Sequence, residues 1–156
     1  MGFDIMGKNP KNAKGDYFRN NVWWWRPLWE YVVEACKDFL SEKDLASGGF
    51  NNGHLISDSK TKKIAIRLEH LVRQGEVKRY EKEYKQQMKE IPEEKCDLCG
   101  GSGTRKDKHT NYQSIECNKC DGKGEVKPFE TNYPFSEANV KNFIEFCRNS
   151  GGFEIW

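Results

Sequence analysis

Histidine is scarce in this 156-residue chain: His54, His70 and His109 are the only three. None sits in a catalytic signature, and the sequence holds no H-E-x-x-H, no G-x-S-x-G, no Walker loop and no dinucleotide-binding glycine fingerprint. An enzyme would therefore have to assemble its site from distant segments, with polar groups such as Arg26, His54 and His70 meeting in one pocket. The sequence lends that reading little support, and a structure that scatters those residues would remove it. His54 follows Asn51-Asn52-Gly53 and reads as an exposed connector residue, and His70 stands beside Glu69 with no nucleophile signature. No small-molecule substrate is indicated. No stretch of eighteen apolar residues exists, so no membrane span is expected. Net charge is only +2, too little for a global pull toward nucleic acid. Met1 to Pro10 lacks the apolar core of a secretory signal, which predicts a reducing, cytoplasmic setting (the host cell's cytoplasm for a phage-encoded chain) with Cys36 and Cys147 as buried free thiols.

The other four cysteines follow a pattern. Cys96-Asp97-Leu98-Cys99-Gly100-Gly101-Ser102-Gly103 and Cys117-Asn118-Lys119-Cys120-Asp121-Gly122-Lys123-Gly124 each read C-x-x-C-x-G-x-G. Two residues between cysteines let a tight turn aim both sulfurs at one point, and the glycines let the chain curl around it. A redox C-x-x-C belongs at a strand-to-helix junction in a βαβ setting, which this region lacks. Structural disulfides need an oxidising compartment. The pattern predicts one structural zinc ion held by Cys96, Cys99, Cys117 and Cys120, with no open coordination position. Between the pairs an antiparallel hairpin is expected, rising through Thr104, returning through Ile115 and turning near Lys108-His109-Thr110-Asn111, with His109 exposed at its tip.

These repeats resemble half of the cysteine-rich zinc domain of DnaJ-type chaperones, over Cys96–Gly124 alone. No His-Pro-Asp tripeptide exists, so no J domain and no chaperone activity follow from the likeness. Separately, Tyr17-Phe18-Arg19-Asn20-Asn21-Val22-Trp23-Trp24-Trp25-Arg26-Pro27-Leu28-Trp29 and Asn149-Ser150-Gly151-Gly152-Phe153-Glu154-Ile155 resemble a family of small uncharacterised proteins of bacteria and their phages, a likeness that implies no activity.

Charged residues make up 32% of the chain and mean hydropathy is −0.92, so core material is short; 13% aromatic content offsets this, because aromatic side chains bury much area each. The expected fold is α+β, mainly α: about four helices, a small terminal β patch, and the four-cysteine zinc hairpin inserted before the last helix. Residues 1–92 and 128–156 would form the helical core domain and 93–127 the insertion. The first helix is expected from about Trp25 to Leu40, capped by Asn20 or Asn21 with Pro27 in its first turn, and with Leu28, Trp29, Val32, Val33, Cys36, Phe39 and Leu40 on one stripe. The second runs from Asp58 to about Gln74, capped by the Ser57 side chain, with Ile64, Ala65, Leu68, Leu71 and Val72 inward and Gly75 as its stop. The third spans Glu76 to about Glu90. The last follows Ser136, with Val140, Phe143, Ile144 and Cys147 inward. Phe153–Trp156 is expected to pair with Phe3-Asp4-Ile5.

Two surfaces invite a partner. Trp23, Trp24, Trp25 and Arg26 are residue types common at interface hot spots, which suggests a protein-binding face. Adjacent residues at a helix start point about 100° apart, so the three tryptophans cannot share one core; the competing reading packs two inward and lays one over the loop before Asp16. Lys78, Arg79, Lys82, Lys85 and Lys89 on the third helix, with Arg105, Lys106, Lys108, Lys119 and Lys123 on the hairpin, suggest a nucleic-acid surface instead. Interleaved Glu76, Glu81, Glu83 and Glu90 favour a solvated, self-paired face there. The function expected is a non-enzymatic, zinc-stabilised protein-binding module, in the setting of a phage-type modulator of a host system. The alternative is a nucleic-acid-binding accessory protein.

Overall fold

In the computed structural model, residues 2–106 and 114–156 are described. The chain divides into two units, Met1–Lys85 with Tyr133–Trp156, and Gln86–Asn132. Six helices and three small sheets occur among the described residues, an α+β fold that is mainly α.

In the first unit, alternation builds a sheet. Phe3 and Ile5 are buried on one face of strand β1 (Gly2–Gly7), and Phe153 and Ile155 are buried on strand β8 (Phe153–Ile155). The two strands pair antiparallel with Ile5 opposite Ile155, so the expected terminal patch is present. It is larger than expected. Strand β2 (Tyr17–Asn21) pairs with the other side of β1, and strand β3 (His54–Ile56) pairs with β8, giving four strands in the order β2-β1-β8-β3. Both added strands are short edges. Phe18 and Ile56 supply almost all their apolar pattern, which is why the sequence does not mark either segment as a strand.

Helix α1 (Ala13–Asp16) is a single turn, capped by the Asn12 side chain. Helix α2 (Val22–Cys36) starts three residues earlier than expected, because the Asn21 side chain accepts from the Trp24 amide and fixes Val22 as the first helical residue. Pro27 consequently lies in the second turn rather than the first. Leu28, Trp29, Val32 and Cys36 are buried as the stripe predicts, and the helix ends at Cys36 with Leu40 buried in the turn beyond. The six-residue α3 (Glu42–Ser47) carries a full capping box between Ser41 and Asp44. Helix α4 (Asp58–Arg73) begins after Ser57, whose side chain makes no cap bond, and buries Ile64, Ala65 and Leu68. Helix α5 (Glu76–Glu90) buries only Val77; Tyr80 and Tyr84 pack beside Tyr31 and Phe135. Helix α6 (Glu137–Asn149), capped by Ser136, contributes Val140, Phe143, Ile144, Phe146 and Cys147 to the core.

Three of these elements, β1, α2 and α6, meet in one aromatic cluster. Trp25 is fully buried, stacked on Phe3 at 5.6 Å and on Trp29 at 5.3 Å, with Phe143 edge-on at 5.9 Å. Buried indole N–H groups need acceptors. Trp25 donates to the Gly48 carbonyl at 2.8 Å and Trp29 to the Leu45 carbonyl at 2.9 Å, so α2 clamps α3 and the turn after it.

In the second unit, strands β5 (Thr104–Lys106) and β6 (Ser114–Glu116) form the expected antiparallel hairpin, with Arg105 opposite Ile115. A second ladder joins strands β4 (Glu94–Lys95) and β7 (Glu125–Val126). The hairpin tip, with Lys108 and His109, lies outside the described residues.

Candidate metal centre

Each C-x-x-C turn is built by its own backbone. Gly101 donates to the Cys96 carbonyl at 3.2 Å, and Gly122 donates to the Cys117 carbonyl at the same distance. The two turns then hold each other: the Cys96 amide donates to Gly124 at 2.8 Å and the Cys117 amide to Gly103 at 2.9 Å. This reciprocity explains the matched glycine tails. At Gly103 φ is +74°, and a Cβ there would stand 2.2 Å from the Gly122 carbonyl oxygen; at Gly124 φ is +80°, and a Cβ would stand 2.4 Å from that of Gly101.

The sulfurs converge as the spacing predicts. All four Sγ atoms of Cys96, Cys99, Cys117 and Cys120 lie within 4.8 Å of one another. Cys96 and Cys117 are 3.9 Å apart and Cys99 and Cys120 3.8 Å. A disulfide would hold its sulfurs about 2 Å apart. A tetrahedron of thiolates around an ion bonded at about 2.3 Å has edges of about 3.8 Å. The observed separations fit that polyhedron, so the cluster can hold a metal ion. Cys96, Cys117 and Cys120 are buried and Cys99 is partly exposed.

Backbone amides prepare the set for negative charge. Gly103 N–H points at Cys99 Sγ at 3.3 Å, and Gly124 N–H at Cys120 Sγ at 3.2 Å. Burial opposes ionisation of Cys99, yet the amides of Gly103 and Gly101 and the neighbouring thiols outweigh it and hold this thiol well below its usual range. Burial and the same crowd of sulfurs push Cys120 up. In the bare site the Cys99 thiolate is favoured and Cys120 resists ionisation; a bound cation removes that resistance.

The proposed partner-binding residues are distributed differently. Trp25 is withdrawn from any surface, because its ring fills the core described above. Trp23 is half-buried with its ring 5.2 Å from Tyr133, Trp24 is half-buried, and Arg26 is exposed beside Trp29, Glu30, Gly48 and Gly49. So one tryptophan of the three enters the core, rather than two. Arg19 stands 3.8 Å from Asp4. On the hairpin Arg105 is half-buried and Lys106 exposed. Lys119 bonds Asp97 at 2.5 Å. Residues 86–132 hold eight Lys/Arg and nine Asp/Glu, so the cations of this unit are outnumbered. On α5, Arg79 pairs with Glu76 and Glu83, and Lys85 with Glu81.

His54 is not a loose connector residue. Its Nε2 lies 3.0 Å from Oδ1 of buried Asp44, whose other oxygen takes the Lys60 ammonium and, at 2.8 Å and 2.6 Å, the Ser41 amide and hydroxyl. No motif announces this cluster, since its members lie on α3, β3 and α4. The sole signal was Asp44 at the third position of a capping box. Arg26, His54 and His70 occupy three separate surroundings.

Comparison with protein-family models, with curated proteins and with solved structures gives no match for this chain. Among the described residues, no helix is long and apolar enough to cross a membrane.

Proposed function

We propose that the protein is a non-enzymatic binding module whose partner is another protein, with one structural zinc ion held by Cys96, Cys99, Cys117 and Cys120 stapling its second unit. The observation that carries the metal assignment is the sulfur tetrahedron: four thiolates of this spacing suit zinc and leave no position for substrate or activated water. The dispersal of Arg26, His54 and His70 supports the non-enzymatic reading.

A protein partner is favoured over nucleic acid by charge. The second unit has more carboxylates than cations, and two of the five basic residues of α5, Arg79 and Lys85, pair within their own helix. The contact residues on this reading are Trp23, Trp24 and Arg26, with Arg105, Lys106 and Lys108. Six unbridged cysteines fit a reducing cytoplasm. The resemblance to small phage and bacterial proteins gives the setting, modulation of a host system.

Affinity purification of the tagged chain from its native host, with and without nuclease, tests this reading. A specific protein partner retained after nuclease supports it. Recovery of nucleic acid alone, with affinity falling steeply in salt, replaces it with the nucleic-acid alternative.

A further inference from the structure

Helix α4 presents one residue that its own pattern does not explain. Ile64, Ala65 and Leu68 face the core, yet Ile66 is 68% exposed, the highest exposure of any large hydrophobic residue described. It borders an open groove of about 480 Å³, which Asp38 and Phe39 line from the turn after α2 and Lys63, Ile66, Arg67 and His70 line from α4.

The groove is apolar at its floor and cationic at its wall. Lys63 Nζ lies 5.9 Å and Arg67 Cζ 5.6 Å from the centroid of the Phe39 ring. Arg67 is held rigidly: one Nη donates to the Ala35 carbonyl at 2.7 Å, and both Nη atoms clasp Asp38 at 3.1 Å and 2.9 Å. Asp38 is thereby neutralised: the hydrogen bonds from Arg67, with the nearby charges of Arg67 and Lys63, hold its carboxyl below the usual range against the opposing effect of burial. The other α4 cations are occupied too: Lys60 with Asp44, Lys62 with Asp58, Arg73 with Glu69. Lys63 differs. Among the described residues no carboxylate lies within ion-pair distance of it, and it sits one helical turn from Ile66.

We propose that this groove docks an acidic segment of a partner protein, seating an aliphatic or aromatic side chain on Ile66 and Phe39 and a carboxylate on Lys63. The proposal rests on the protein-binding reading above and names where that contact is made. The charge pattern selects the occupant. A phosphate backbone would need a row of unengaged cations, whereas four of the five on α4 already hold carboxylates. One ammonium with no carboxylate in ion-pair distance, beside an exposed apolar side chain, matches a single carboxylate next to a hydrophobic anchor.

The test titrates the full zinc-loaded chain against a short labelled peptide of Glu with Leu and Phe, read by fluorescence anisotropy. Two control peptides carry Lys for Glu, or Ser for Leu and Phe. Saturable binding of the first peptide alone is expected, and Ile66→Asp and Lys63→Glu should each weaken it by about tenfold or more. Both positions are exposed, so thermal melting and metal content should match the parent. Absence of binding overturns the proposal. So does binding indifferent to Ile66→Asp, equal binding of the Ser peptide, or displacement by a single-stranded oligonucleotide. The two readings fail separately: a native protein partner recovered equally by the parent and by Ile66→Asp sinks the groove but not the module, while recovery of nucleic acid alone sinks the module.

Discussion

Two residues show how differently one side chain can be used from what its type suggests. A run of three tryptophans advertises a binding surface, but Trp25 spends its ring on Phe3, Trp29 and Phe143 and its N–H on the Gly48 carbonyl. Trp25→Ala would leave a cavity and an unpaired carbonyl, and should cost roughly 3–5 kcal/mol. Trp24→Ala, half-buried one residue earlier, should cost far less; equal shifts in denaturant midpoint for the two variants would contradict this packing. Asp44 is the second case. Burial raises its carboxyl, but Lys60, Ser41 and His54 outweigh that and hold it far below the usual range. A depressed carboxylate stabilises the fold above its unfolded pKa of about 3.9 and loses that contribution as pH falls toward the folded value. Melting temperature should therefore drop below about pH 4, and Asp44→Asn should be less stable at neutral pH with a shallower acid limb. Parallel acid limbs for parent and variant would show that Asp44 is not the titrating group.

At the scale of elements, legibility followed periodicity and turn chemistry. The bounds of α5 were readable because Gly75 and Pro92 bracket it, and α4 and α6 because their apolar stripes run for several turns. The four-thiol cluster was readable because C-x-x-C fixes its geometry locally, within two tight turns. What escaped was non-local. Strand β3 is three residues long and exists because β8 offers it a ladder; the pairing of Leu55 with Glu154 leaves no trace in the segment's own composition. The Asp44, His54 and Lys60 cluster escaped for the same reason. Helix α2 was misjudged at its start because either of two adjacent asparagines can cap, and only the bond from Trp24 decides for Asn21. Ile66 was left unassigned off the α4 stripe, and an apolar residue on a polar face is itself a signal. The reciprocal turns of the metal centre yield a sharper expectation. Gly103→Ala places a Cβ on the Gly122 carbonyl in a backbone region that alanine avoids. Gly100→Ala has positive φ but nothing within 4 Å. The first should lower metal retention against a chelator markedly more than the second; the reverse order would mean that the turns are not locked as described.

For the whole molecule, the two units draw stability from different sources. The first buries a continuous cluster of aromatic and aliphatic residues from Phe3 to Ile155. The second has almost nothing of that kind: its buried cluster is Cys96, Cys117 and Cys120, with Cys99 and Val126 packed on it. A segment of that size cannot offset its conformational entropy with two short ladders and three buried thiols. On the zinc reading proposed above, its order comes from the ion, whose binding free energy is then folding free energy. Removing zinc should therefore act on one unit and spare the other. Hydrogen exchange before and after treatment with a strong chelator under reducing conditions reads both at once. The amides of Cys96, Gly101, Cys117 and Gly122, bonded across and within the two turns, should lose protection. Those inside α2, α4 and α6 should keep theirs, because their burial does not involve Cys96, Cys99, Cys117 or Cys120. Cys117→Ser should reproduce the chelated pattern without any chelator. Protection that persists in the second unit after stoichiometric zinc loss would show that its backbone ladders suffice alone, and the metal would then be a passenger rather than the source of its fold.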